Sequence, residues 1–398
     1  MSIEKEVDVS ALSFEQLKKI RAYLKKMIEV GGSDLHIKAN SVIRVRIDGD
    51  LVQFSGGVLS HDDSLTFAKE LLKGRFAEFV ENKEIDLVYP FDDMNRFRVN
   101  MFFQVDGVSA VFRVIPIQIP SFEELHLPDI LRKFTEHERG LVLVTGVTGS
   151  GKSTTLATLI DEINRKKKKH IITIEDPVEF VHKDRGCMIN QRSVGQDTLS
   201  FKNALRAALR EDPDIILVGE MRDKETIDLA LHAADTGHLV FSTLHTIDAK
   251  ETINRIIAQY PVDEQNRVRL SLATVLKGII SQRLVKTLDK KRRAAMEILV
   301  HTPMIEKLIM ENRDYEIHDA LEKGKEHYKS QSFDQSLFDL YNEGIISKEQ
   351  ALDNATSSAD LKLKMSGLND GTSSSDDVST PEKEEVSVEQ VEDVFDLK

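Results

Sequence analysis

An apolar run at 141–145 leads directly into Gly146-Val147-Thr148-Gly149-Ser150-Gly151-Lys152-Ser153, and that into Thr154 and a stretch of helical periodicity. The pattern G-x-x-x-x-G-K-[ST] between a buried strand and a helix restricts the fold strongly. It needs glycines so that backbone N–H groups can close around phosphates at the helix N-terminus. Gly146, Thr148, Gly149, Ser150, Gly151 and Thr154 then form the cradle. Lys152 reaches the outer phosphates of a nucleotide, and Ser153 offers a hydroxyl to a magnesium ion. An ordinary glycine-rich turn accounts for the glycines but not for the flanking strand, helix, lysine and serine together.

Elements of the same kind recur downstream. Apolar segments at 141–145, 170–174, 215–218 and 239–243 read as strands, separated by helical periodicity at 152–164, 201–211, 224–235 and 249–259. Such alternation predicts an α/β unit with a parallel sheet covered by helices. From 263 to 363 the pattern reads as mostly helical. Upstream, a helix over 14–30 stops at Gly31-Gly32. Short alternating segments at 35–37, 42–47, 85–89, 96–103 and 108–115, interrupted by a helix over 64–81, predict a small α+β domain on a mostly antiparallel sheet. Pro116, Pro120 and Pro128 then break any continuous helix or strand, as a linker requires. The expected organisation is an α+β domain over 1–115, a linker over 116–130, an α/β domain over 131–365 and an acidic, disordered tail over 366–398.

Charge and cysteine usage narrow the function. Of a net charge of −13, the tail accounts for much, with ten acidic residues against two lysines, and the remaining body is mildly acidic. That argues against nucleic acid as a partner, since a phosphate-binding surface needs an extended basic face. The one basic run, Arg165 to Lys169, falls where a helix should end and suits the helix dipole and solvent. No apolar run approaches the roughly 20 residues of a membrane span. The acidic N-terminus lacks the form of a signal peptide, so a cytoplasmic location is expected. Cys187, a lone cysteine, can supply neither an intrachain disulfide nor a multi-thiolate metal site.

Three strand ends carry the remaining chemistry. The strand ending at Ile174 runs into Glu175-Asp176, placing a carboxylate beside the phosphate loop, where a general base for an attacking water belongs. The segment 214–218 runs into Gly219-Glu220. Glu220 there would hold magnesium through water or assist the base, though a solvated strand end is the plainer alternative. Past the strand at 239–243 stands His245, at the sheet edge where ligands bind, suited to sensing a terminal phosphate. His232 and His238 have no such support.

Taken in order, Gly146 to Thr154, Ile174-Glu175-Asp176-Pro177-Val178-Glu179, 215–223 and Thr243-Leu244-His245 are similar to the Walker A, Asp box, atypical Walker B and His box of the secretion ATPases of type II secretion and type IV pili. Ile189-Asn190-Gln191-Arg192, 205–214 and Ser281-Gln282-Arg283-Leu284 resemble the retraction subgroup of that family, and the resemblance covers about residues 20–365. It implies a homohexameric ring, each subunit having a RecA-like P-loop ATPase core preceded by a small PAS-like α+β domain. It further implies ATP and Mg2+ as ligands, and an inner-membrane pilus platform protein (PilC-like) as partner at the inner face of the cytoplasmic membrane. A paralogous retraction ATPase is a further partner. Arg96, Arg98 and Arg113 match positions from which arginines of the first domain reach the nucleotide, with plain sheet-surface charge as the alternative. The chain departs from the subgroup at Met304-Ile305-Glu306-Lys307-Leu308-Ile309, which keeps the apolar positions of the usual segment and changes the polar ones.

The resemblance leaves a retraction motor, its accessory paralogue, an assembly or secretion motor, and a nucleotide-gated scaffold without turnover. Assembly and secretion motors commonly carry a larger N-terminal region and a four-cysteine zinc insertion, which one cysteine and a short first domain disfavour. A scaffold without turnover should lack Lys152, Glu175 or Glu220, and all three are present.

Overall fold

The computed structural model describes residues 7–366 except 48, 93, 94, 116 and 117, so nearly all of the acidic tail expected over 366–398 lies outside the described residues. Two sheets organise the chain. The first is antiparallel throughout, in the order β3-β2-β1-β6-β5-β4. Its strands are β1 (Asp34–Lys38), β2 (Ser41–Ile47), β3 (Asp50–Leu59), β4 (Glu84–Pro90), β5 (Arg96–Gln104) and β6 (Gly107–Ile115). Alternation along β5 and β6 sends Phe97, Val99, Met101, Ala110 and Phe112 to one side. There they pack with α1 (Glu15–Glu29), α2 (His61–Leu72) and α3 (Phe76–Asn82) into a single apolar cluster. The helix expected over 64–81 is thus two helices, separated at Lys73, whose positive φ of 50° ends α2. Strand β3 was not expected; its Gly56-Gly57 and exposed Leu51, Val52 and Val58 obscure the alternation.

Between the sheets the proline-punctuated segment is not bare chain. It forms α4 (Phe122–Leu125) and α5 (Ile130–Glu136). Phe122, Leu127, Ile130, Leu131 and Phe134 are buried against the second sheet, so most of the expected linker belongs to that core.

The second sheet has the order β13-β12-β7-β11-β10-β8-β9. The strands are β7 (Gly140–Thr145), β8 (His170–Glu175), β9 (Met188–Ser193), β10 (Ile215–Val218), β11 (Leu239–Leu244), β12 (Leu276–Lys286) and β13 (Arg292–Val300). All its pairings are parallel except β12 with β13. Strand β7 shows why its sequence is continuously apolar: Leu141 and Leu143 enter one core, Val142 and Val144 the other. One face is covered by α5 and by α6 (Lys152–Lys166). The other is covered by α7 (Phe201–Ala208), α8 (Lys224–Asp235), α9 (Ala249–Ile257), α10 (Val262–Val275) and α11 (Pro303–Met310). The helices α12 (Ile317–Lys323), α13 (Lys325–Tyr328), α14 (Phe333–Asn342), α15 (Lys348–Asp353) and α16 (Ser358–Met365) follow.

The mostly helical expectation over 263–363 therefore fails at 276–300, where β12 and β13 form a hairpin. Ala, Lys, Leu and Glu there are good helix formers, but Ile279 and Ile280 complete the sheet beside β7, and tertiary pairing overrides local preference. Strand β9 was also unexpected, because its residues are polar and it sits at the sheet edge. No helix among the described residues is long and apolar enough to cross a membrane.

Candidate active site

Because β7, β8, β10 and β11 are parallel, their C-terminal ends share one edge, and the loops leaving them converge there. Gly146 begins the first loop at φ 141°, and a Cβ on it would lie 2.5 Å from both the Gln282 carbonyl oxygen and Ser150 Oγ. Only glycine fits there. Gly149 and Gly151 also have positive φ, and Gly151 precedes the first turn of α6. The loop consequently wraps toward the N-terminus of a 15-residue helix whose free N–H groups favour an anion.

Lys152 is 8% exposed, and its Nζ donates to the carbonyls of Gly146 (2.8 Å) and Val147 (3.1 Å). Among the described residues no carboxylate lies within ion-pair distance of it. Burial depresses its pKa, and Glu220 and Glu179 oppose that shift from further away. A buried ammonium held only by neutral carbonyls is a charge arranged for an incoming anion.

Glu175 ends β8 facing this loop across a cleft of about 350 Å³. Its Oε1 accepts from Thr173 Oγ1 at 2.7 Å and from Gln191 Nε2 at 3.3 Å, and the Glu179 N–H reaches Oε2 at 3.4 Å. Burial pushes its pKa up to about 7, outweighing these donors. Glu220, after β10, is positioned by Gly219, where a Cβ would come within 3.0 Å of the Ile174 carbonyl oxygen. Its Oε2 meets Arg222 Nη2 at 2.8 Å and His245 Nε2 at 3.4 Å. The other ring nitrogen of His245 lies 3.4 Å from Thr148 Oγ1, so the histidine spans from the phosphate loop to Glu220.

Thr148, Gly149, Lys152, Ser153, Glu175, Glu220 and His245 thus share one cleft. Arg98 also lines it, from β5 of the first sheet. Its two companions do not. Arg113, the cross-strand partner of Arg98, donates through Nε to buried Asp34 at 2.6 Å. Arg96 is exposed at the start of β5, outside the cleft. Being on one sheet face was not enough to bring all three arginines to the site. Gly146, Ser150, Gly151 and Thr154 shape the loop and the first turn of α6, and Gly151 and Thr154 border a second, larger cavity of about 890 Å³ with Leu125, Leu127, Leu284 and Ile345. Sequence reasoning did not single out Arg222, His182 or the Thr173–Gln191 pair. Arg222 lies two residues from Glu220, and Gln191 lies in Ile189-Asn190-Gln191-Arg192, a segment whose residue types by themselves point to no chemistry.

Residues 13–338 match the family model described as type II/IV secretion system protein. The chain is 46% identical over 326 residues to the type IV pilus retractation ATPase PilT of Pseudomonas aeruginosa, covering 82% of this chain and 94% of that one. It is 40% identical over 354 residues to the type IV pilus ATPase PilU of the same organism, covering 88% and 91%. The crystal structure of the pilus retraction motor PilT with bound ADP superposes with a TM-score of 0.81 at 42% identity, covering 86% of this chain and 98% of that one.

Proposed function

The chain belongs to the type II/IV secretion system protein family, and from that premise we propose that it is an ATPase motor that retracts type IV pili. The observation that carries the reading is Lys152, a buried cation with no carboxylate within ion-pair distance among the described residues, set in a glycine loop opposite two strand-end carboxylates. In this reading ATP lies with its phosphates on 146–153 and its base toward the cavity bordered by Thr154, Leu284 and Ile345. Glu175 takes the proton of the attacking water. His245 senses the terminal phosphate between Thr148 and Glu220.

No group of three or more acidic, histidine or cysteine side chains able to hold a metal occurs among the described residues. Ser153 and Glu220 nonetheless suit magnesium, which takes few protein ligands and completes its shell with phosphate oxygens and water. When bound, the ion neutralises charge on the transferring phosphoryl group.

The first sheet acts as a PAS-like domain and the second as a RecA-like core, and subunits assemble as a homohexamer. Arg98 couples the two parts. Its side chain is 43% exposed and held by a long ion pair, 3.9 Å to Asp86, which it can exchange for a phosphate when the cleft tightens. Arg98→Ala is expected to keep nucleotide binding and assembly while lowering kcat about tenfold to a hundredfold; an unchanged kcat would assign Arg98 to the surface. Closing at successive interfaces would move a PilC-like platform protein at the inner face of the cytoplasmic membrane, withdrawing pilin subunits. The higher identity to PilT than to PilU supports the main motor over the accessory paralogue. Deleting the gene in its host and counting pili tests this: excess pili without twitching are expected, whereas loss of pili would show an assembly motor.

A further inference from the structure

We propose that Thr173 and Gln191 are positioning residues that hold the Glu175 carboxylate by its Oε1 atom and leave Oε2 facing the cleft as the atom that takes the proton from water. The inference rests on the reading of Glu175 as the base.

Thr173 lies two residues before Glu175 on β8 and so projects to the same side of the sheet. Gln191 is the direct partner of Thr173 on β9, in parallel register. Both donate to Oε1, whereas among the described residues Oε2 has only the distant Glu179 N–H. The Gln191 amide cannot turn away. Its Nε2 also donates to the Phe180 carbonyl at 2.8 Å, and its Oε1 accepts from the His182 N–H at 2.8 Å. Flipping the amide would set its oxygen against a carboxylate and a carbonyl and its NH2 against an N–H. The loop at 180–182 therefore fixes Gln191, and Gln191 with Thr173 fixes the carboxylate. A short polar edge strand such as β9, poor at burying apolar surface, gains a purpose as the support of one side chain.

In the reaction, water gives its proton to Oε2 as its oxygen bonds the terminal phosphorus. The bridging oxygen leaves on ADP with the electron pair of the broken P–O bond. The charged and titratable groups that line the cleft with Glu175 are Lys152 from the glycine loop, Asp176, Glu179 and His182 after β8, Glu220 and Arg222 after β10, His245 after β11 and Arg98 from β5. Changing Thr173 touches none of these, whereas changing Gln191 also removes the acceptor of the His182 N–H, which makes Thr173→Val the deciding variant.

The test uses the full chain and measures steady-state ATP hydrolysis against pH, with ADP affinity as a check on the fold. Thr173→Val keeps the shape of a fully buried side chain and removes one donor; Gln191→Met removes the other. Each donor favours the ionised carboxylate, so its loss should move the acidic limb of kcat to higher pH and lower kcat about tenfold, with KM and ADP affinity unchanged. Thr173→Ser should restore both. An unmoved acidic limb with normal kcat in Thr173→Val would overturn the proposal, even if Gln191→Met failed to fold. Glu175→Gln separates the two readings. If it hydrolyses ATP normally, the base assignment fails; if it is inactive while Thr173→Val is normal, only the positioning role fails.

Discussion

Lys152→Ala is expected to reduce ATP hydrolysis by about a thousandfold, the scale seen when a preorganised charge at a reacting centre is removed. The reason is local. Lys152 is the buried cation of the phosphate loop, and the free amides of α6 carry only partial charge. Without it the outer phosphates lose their main charge partner in the transition state, while the amides still contact the bound nucleotide. The variant should therefore lose far more in turnover than in ADP affinity. Its fold should persist, because the side chain contributes hydrogen bonds only to the Gly146 and Val147 carbonyls, which the cleft can hydrate. Thermal melting together with phosphate release checks both halves. Wild-type turnover would remove the phosphate-loop assignment.

Glu175→Gln is expected to bind ATP with magnesium normally and to hydrolyse it about a hundredfold to ten-thousandfold more slowly. The amide keeps the size of the side chain and discards the basic oxygen. The pH dependence follows from the same group. Burial raises the Glu175 pKa to about 7, and only the ionised form accepts a proton. Hydrolysis should accordingly rise with pH through neutrality and reach its plateau above it, and Glu175→Gln should abolish that rise. Glu220 offers a contrasting control: its oxygen is shared by Arg222 and His245, so Glu220→Gln should weaken the magnesium dependence more than it changes the acidic limb. If Glu220→Gln removes the limb and Glu175→Gln leaves it, the two carboxylates exchange roles.

The site was legible where one short stretch of chain carries its own geometry. Gly146, Gly151, Lys152 and Ser153 are local, and their backbone requirements are written in the residue types. Glu175, Glu220 and His245 were legible because each follows an apolar strand, and parallel strands bring their C-terminal ends to one edge. The arginines were less so. Arg98 and Arg113 are cross-strand neighbours of the same type, and nothing in the sequence distinguishes the one that lines the cleft from the one that Asp34, from a strand 79 residues away, draws off.

Local pattern alone determined the strand–loop–helix at 141–166, the alternation that follows it, and a glycine loop shaped to receive phosphate, because hydrophobic period and glycine placement act over a few residues. Partnership at long range decided the rest. Residues 276–300 became a hairpin because β7 had an open edge for Ile279 and Ile280 to complete. Residues 122–136 joined the second core because their apolar side chains could be buried there despite three nearby prolines. A polar strand at 188–193 formed because β8 offered it backbone hydrogen bonds, and that pairing sets Gln191 against Glu175. In each case the deciding free energy came from surface and hydrogen bonds supplied by a distant segment, which no window of the sequence contains.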